Sequence, residues 1–216
     1  MVKTKDLLES FQKNEHIEGF AESIQSLGLF LLPILVILPF YVFEKVNPTS
    51  TYYIVYSIYI IGSFIFLKVN RRKLHEIGIT VKNTFQSSYM ALALVAGFGI
   101  ARFIATDMQI VQNLSLQLLR EQLIYNFIFS GFGQEILFRG VMFFSMWRWK
   151  GVNSGLIVSS VLFGAIHITH SIRYVFVTAC FGAYWGYVAS KTKNIIGPVI
   201  AHGLFNFLFS FFLVII

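Results

Sequence analysis

Charge is what this chain has least of. Asp, Glu, Lys and Arg make up 12% of its 216 residues, against roughly 25% in a typical soluble domain. That deficit argues against a free-standing water-soluble protein. The chain has one cysteine, Cys180, so an internal disulfide and a Cys/His zinc-finger spacing are both excluded. Cys180 lies in an apolar run and reads as a small packing residue. Strand-like alternation of polar and apolar residues is missing, which speaks against a membrane β-barrel. Residues 1–25 are too polar for a cleaved signal peptide. No repeat of 20–50 residues recurs.

What is present is apolar surface. Hydrophobic residues make up 56% of the chain and the mean hydropathy is +0.69. Several apolar runs approach the ~20 residues that cross a bilayer as helix. The expected fold is an all-α, polytopic membrane helical bundle with seven or eight transmembrane helices. The spans fall near 27–43, 52–67, 88–104, 116–146, 152–168, 174–189 and 195–216. Pro33 and Pro39 are expected to kink the first, and Gly131 or Gly133 to break the fourth. Ahead of them, Leu7, Leu8, Phe11, Ile17, Phe20 and Ile24 recur at steps that suit a helix lying on the membrane, or else a solvated tail. This divides the chain into an N-terminal cytoplasmic amphipathic or flexible segment (1–26), accessory transmembrane helices (27–114) and site-bearing helices (115–216).

The net charge is +7. Nucleic-acid binding is not the reason, because the cations lie mainly in short connections between spans. Lys and Arg crowd into the N-terminal segment, 68–82, 148–150 and 191–193. The alternate connections carry only Lys45, Arg120 and Arg173. That asymmetry places the N-terminus on the cytoplasmic side.

Several polar residues interrupt the apolar runs. Gln134, Glu135 and Arg139 lie in the fourth span, His167 in the fifth, and His202 and Asn206 in the seventh. A charge at mid-bilayer costs roughly 2.5–3.5 kcal/mol on insertion scales, so such residues mark a working site or a structural pair. Glu135 and Arg139 stand at i, i+4 with the acid first, the favourable order for a helical pair. Phe163 and His167, like His202 and Asn206, share one helix face. At ~1.5 Å rise per residue, Gln134 lies roughly 21 Å from the connection at Arg148, His167 roughly 22 Å from Val152, and Asn206 roughly 20 Å from Lys193. Similar depth on three spans points to one intramembrane polar site.

A carboxylate and a histidine can take a proton from water and return it to a leaving amine. A second histidine and an asparagine can stabilise an oxyanion. Such a set suits peptide hydrolysis. Glu135, His167 and His202 could instead hold zinc, although the compact H-E-x-x-H spacing is absent. No serine sits in a nucleophile elbow.

At these residues the chain resembles the CAAX protease and bacteriocin-processing family of intramembrane proteases, also called CPBP or Abi. The family pattern is Glu-Glu-x-x-x-Arg, Phe-x-x-x-His and His-x-x-x-Asn/Asp on separate helices. Here it reads Gln134-Glu135-x-x-x-Arg139, Phe163-x-x-x-His167 and His202-x-x-x-Asn206. The resemblance covers about 119–209. It implies a glutamate-type endopeptidase without a cofactor, acting on membrane-associated peptides or protein tails in a bacterial cell membrane. It also implies that Gln134 and His167 stand where water is activated, that His202 and Asn206 form an oxyanion hole, and that Glu135 and Arg139 support the site. Gln134 departs from the pattern, because an amide takes no proton near neutral pH. Three accounts follow: a substitution that inactivates an enzyme, a natural member kept as a scaffold, regulator or immunity protein, or replacement of the base by Glu135.

Overall fold

The structure, a computed structural model, describes residues 4–42, 48–105, 108–110, 115–169 and 171–214. Among the described residues, seven helices of 14 residues or more form the bundle. They are α1 (Thr4–Val42), α2 (Pro48–Val69), α3 (Thr84–Ala105), α4 (Leu116–Lys150), α5 (Val152–Ala165), α6 (Ile172–Thr192) and α7 (Ile196–Phe211). Two three-residue strands, β1 (Met108–Ile110) and β2 (Phe212–Val214), pair antiparallel. Helices α1 to α4 contain segments long and apolar enough to cross a membrane, and α5 and α7 are shorter apolar helices. Large apolar side chains stand exposed around the bundle, among them Leu35, Ile61, Val69, Ile157 and Phe176. An exposed apolar surface of that extent is stable against lipid, not water. The chain is an integral membrane protein with an all-helical spanning bundle.

Helix α4 is the hub. Within its apolar segment 78% of the most hydrophobic window is buried, against 33%, 28% and 17% for α1, α2 and α3. Ser115 caps its start by accepting a hydrogen bond from the backbone N–H of Leu118 at 3.1 Å. Gly151, at φ +84°, ends it. The break expected near Gly131 or Gly133 does not occur. The helix widens into π-helical turns at Ile124–Phe132 and Ile136–Met142, on either side of Gly133–Glu135. The two glycines admit neighbours instead. A Cβ at Gly131 would come within 3.1 Å of the Val199 carbonyl oxygen on α7, and one at Gly133 within 3.2 Å of Tyr56 on α2.

Helix α1 runs unbroken from Thr4 to Val42, across positions 26 and 27 and past Pro33 and Pro39. One further expectation changes. Helix α5 stops at Ala165, and residues 166–169 form a turn, so His167 lies beyond the helix that was expected to carry it.

The polar side of α1 has a partner the sequence did not disclose. Glu22, 2% exposed, receives Arg72 on one carboxylate oxygen at 2.6 Å and Arg148 on the other, with Nε at 2.9 Å and a second contact from Nη2. Arg72 also reaches Glu18 and Glu76. Burial opposes the charge on Arg72, but Glu22 and Glu76 outweigh it and hold the guanidinium above its usual range. Asn194 ties the start of α7 to the 78–84 connection through the carbonyls of Thr80 and Lys82 at 2.7 and 2.8 Å. The ammonium of Lys193 sits 3.0 Å from the Trp147 ring centroid. The basic segments 68–82, 148–150 and 191–193 therefore gather at one end of the bundle, as charges excluded from lipid should.

Glu22→Ala should strip two partly buried arginines of their anion and destabilise the protein by about 2–4 kcal/mol. Thermal unfolding of the detergent-solubilised protein measures this. A melting temperature equal to that of the unaltered chain would show that the cluster holds nothing together.

Candidate active site

The site grows from α4. Successive residues on a helix differ in direction by about 100°, so Gln134 and Glu135 serve different surroundings. Gln134 lines a cavity of about 730 Å³ shared with His167, His202 and Asn206. Glu135 and Arg139 do not line it. Both are 0% exposed.

Glu135 is the organising group. Its Oε1 accepts from Arg139 Nη1 at 3.1 Å and pairs with His202 Nδ1 at 2.8 Å. One carboxylate thus joins α4 to α7. An acceptor at Nδ1 keeps a proton on that nitrogen and fixes the ring. The His202 ring also stacks on Trp185, with centroids 5.0 Å apart and planes 26° from parallel. Arg139 lies over the Phe163 ring at 4.0 Å. Its Nε and Nη2, like Glu135 Oε2, have no hydrogen-bond partner among the described residues.

A second cluster faces the cavity. Ser130, one helical turn before Gln134, accepts from Gln134 Nε2 at 3.2 Å and from Asn206 Nδ2 at 2.9 Å. Gln134 Oε1 has no hydrogen-bond partner among the described residues. Ser130 was not anticipated, although its position four residues before Gln134 was a usable signal. Trp185, the stacking partner of His202, had no sequence signal beyond its apolar character.

His167 lines the cavity from the turn after α5. Its Nδ1 lies 2.9 Å from the Phe163 carbonyl oxygen. The expected i, i+4 relation therefore survives as a hydrogen bond across the helix end. Phe163 contacts both imidazoles, with ring centroids 5.3 Å from His167 and 5.6 Å from His202. Of the six residues singled out from sequence, four line the cavity and two lie behind it. Among the described residues, no three His, Cys, Asp or Glu side chains are placed to hold a metal together.

The arrangement leaves Glu135 little scope as a base. It is sealed from the cavity and its Oε1 is already shared. The aromatic wall, which includes Phe98, Phe181, Trp185, Phe205 and Phe209, can take an apolar chain. Histidine and amide groups lie at its polar floor.

A family model described as Rce1-like, type II CAAX prenyl endopeptidase, matches residues 116–208. The match runs from the start of α4 through most of α7 and contains every candidate residue. No match is found among curated proteins or among solved structures.

Their partners, not their burial, separate the neighbours on α4. Glu135→Ala leaves a buried arginine without its anion and should cost about 3–5 kcal/mol. Gln134→Ala loses one hydrogen bond and should cost about 1 kcal/mol. Equal melting temperatures for the two variants would contradict the structural role given to Glu135.

Proposed function

We propose, since residues 116–208 match a family model described as Rce1-like, type II CAAX prenyl endopeptidase, that this membrane protein is an intramembrane endopeptidase that binds the tail of a membrane-associated peptide or protein in its cavity and hydrolyses it slowly. The observation that carries the proposal is the meeting of Gln134, His167, His202 and Asn206 in one aromatic-walled cavity. An extended tail bearing a prenyl chain suits that wall, and the family name mentions such substrates.

In this mechanism His167 keeps its Nδ1 proton toward the Phe163 carbonyl and offers Nε2 as acceptor to a water. Water gives that nitrogen a proton and its oxygen attacks the peptide carbonyl carbon. The oxyanion receives hydrogen bonds from Asn206 and from the His202 imidazole, which Glu135 orients. Collapse breaks the C–N bond, and the proton on His167 passes to the leaving amine. Gln134 holds the water through Oε1 but takes no proton. Glu135 and Arg139 position His202 and Phe163. The scheme uses no metal, and zinc held through Glu135, His167 and His202 is its competitor.

Gln134→Glu restores a carboxylate at the cavity and should raise cleavage of a prenylated CAAX peptide by about 10²–10⁴-fold, the usual worth of a general base. His167→Ala in that background should abolish the gain. A chain that only binds peptides as a scaffold or immunity protein would gain nothing from either change, and that result would overturn the enzyme assignment.

Metal analysis makes a separate prediction. The Gln134→Glu protein should carry no stoichiometric zinc and keep its rate in chelator. Zinc bound one to one and lost together with activity would transfer the chemistry to the metal.

A further inference from the structure

The residues lining the cavity include one side chain of formal charge, Arg173. It is exposed, on the first turn of α6, and lines the same space as His167, Ser171 and Tyr174. Among the described residues, no carboxylate lines the cavity with it. Among the described residues Arg173 makes no ion pair and no hydrogen bond. Arg72, Arg139 and Arg148, by contrast, each pair with a glutamate.

Helix stability gives no reason for a cation here. The N-terminal end of a helix carries partial positive charge and favours anions, so an arginine in the first turn opposes the helix dipole by about 0.3–1 kcal/mol. The first turn of α6 contains no acidic residue to offset it. Ser171 already satisfies the cap, accepting from the Tyr174 backbone N–H at 3.1 Å. A guanidinium without an anion among the described residues, and with nothing to gain from its own helix, is available to a ligand. Its planar fork matches a carboxylate with two parallel hydrogen bonds.

We propose that Arg173 is a specificity-determining residue that anchors the free C-terminal carboxylate of the bound peptide. The assignment rests on the peptide-binding role given to this cavity and states which peptides it takes. The terminus seats at Arg173, and the chain runs inward past His167 toward Asn206 and Gln134. Arg173 follows His167 by six positions in the chain, so cleavage falls near the C-terminus. An internal segment lacks the anion and is disfavoured.

The test uses the unaltered chain in nanodiscs of zwitterionic lipid, where slow turnover lets binding be read directly. The probe is a fluorescent prenylated CAAX peptide made in two forms, one with a C-terminal carboxylate and one with a carboxamide. The carboxylate form should bind about 10–100-fold more tightly, the range expected of a charge-assisted pair. Arg173→Gln should remove the difference between the two forms, and Arg173→Lys should keep part of it. Equal affinities in the unaltered chain, or a preference that survives in Arg173→Gln, overturn the assignment while leaving peptide binding intact. Absence of binding by either form removes the peptide-binding role itself. Loss of binding to anionic lipid vesicles in Arg173→Gln, with no carboxylate preference, would make a lipid phosphate the partner and also overturn the proposal.

Discussion

The carboxylate of Glu135 is the constraint on which the site depends. It is sealed from solvent and bridges an arginine on its own helix to a histidine on α7. Desolvating such charges costs several kcal/mol per ion, and their attraction repays this only with favourable geometry. The group is therefore better understood as an orienting device than as a source of stability. Its hold on His202 Nδ1 leaves the other ring nitrogen for the cavity. Its hold on Arg139 keeps the guanidinium over Phe163. Phe163 in turn touches both histidines. One carboxylate thus orders Arg139, His202 and Phe163, three side chains from three helices.

The membrane decides why this can be built on α4. In lipid an irregular backbone is tolerated only where protein covers it. Helix α4 is the most enclosed of the four longest apolar helices, and it is the one that contains π-helical turns. π-Turns are uncommon and recur at functional sites. Here they flank the short α-helical stretch Gly133–Glu135. The neighbouring pair is divided between two roles, Gln134 toward the cavity and Glu135 toward Arg139 and His202. The small residues beside it serve the same end. A Cβ at Gly182 on α6 would lie 3.1 Å from Arg139 Nη2 and 3.2 Å from Ser160 Cα, so a larger side chain there would crowd the arginine.

The number of long helices and the motif residues were legible because apolar length and i, i+4 spacing are local signals. Matching depths drew Gln134, His167, His202 and Asn206 toward one cavity without knowledge of contacts. Other features were not local. Glu22 meets residues 50 and 126 positions away, and nothing near it in sequence announces that it is buried. Its polar surroundings instead suggested a segment separate from the first span. The end of α5 was hidden for the opposite reason. Phe163 and His167 keep the helical spacing, while the chain turns after Ala165 and the bond from His167 to the Phe163 carbonyl imitates helix continuation. The break expected at Gly131 or Gly133 failed because glycine also serves close packing.

Ser130 explains how one scaffold can accommodate an amide or a carboxylate at position 134. A hydroxyl has one donor and two acceptor positions and can rotate to suit its neighbours. With Gln134 it accepts twice, once from Gln134 and once from Asn206. A glutamate would instead require Ser130 to donate, and the hydroxyl can turn to do so while still accepting from Asn206. The exchange leaves the position of Asn206 undisturbed and changes only the direction of one proton. The placement of Ser130 and Asn206 can therefore persist whether position 134 carries an amide or a carboxylate. At that position the two alternatives differ by a single replacement of oxygen by nitrogen.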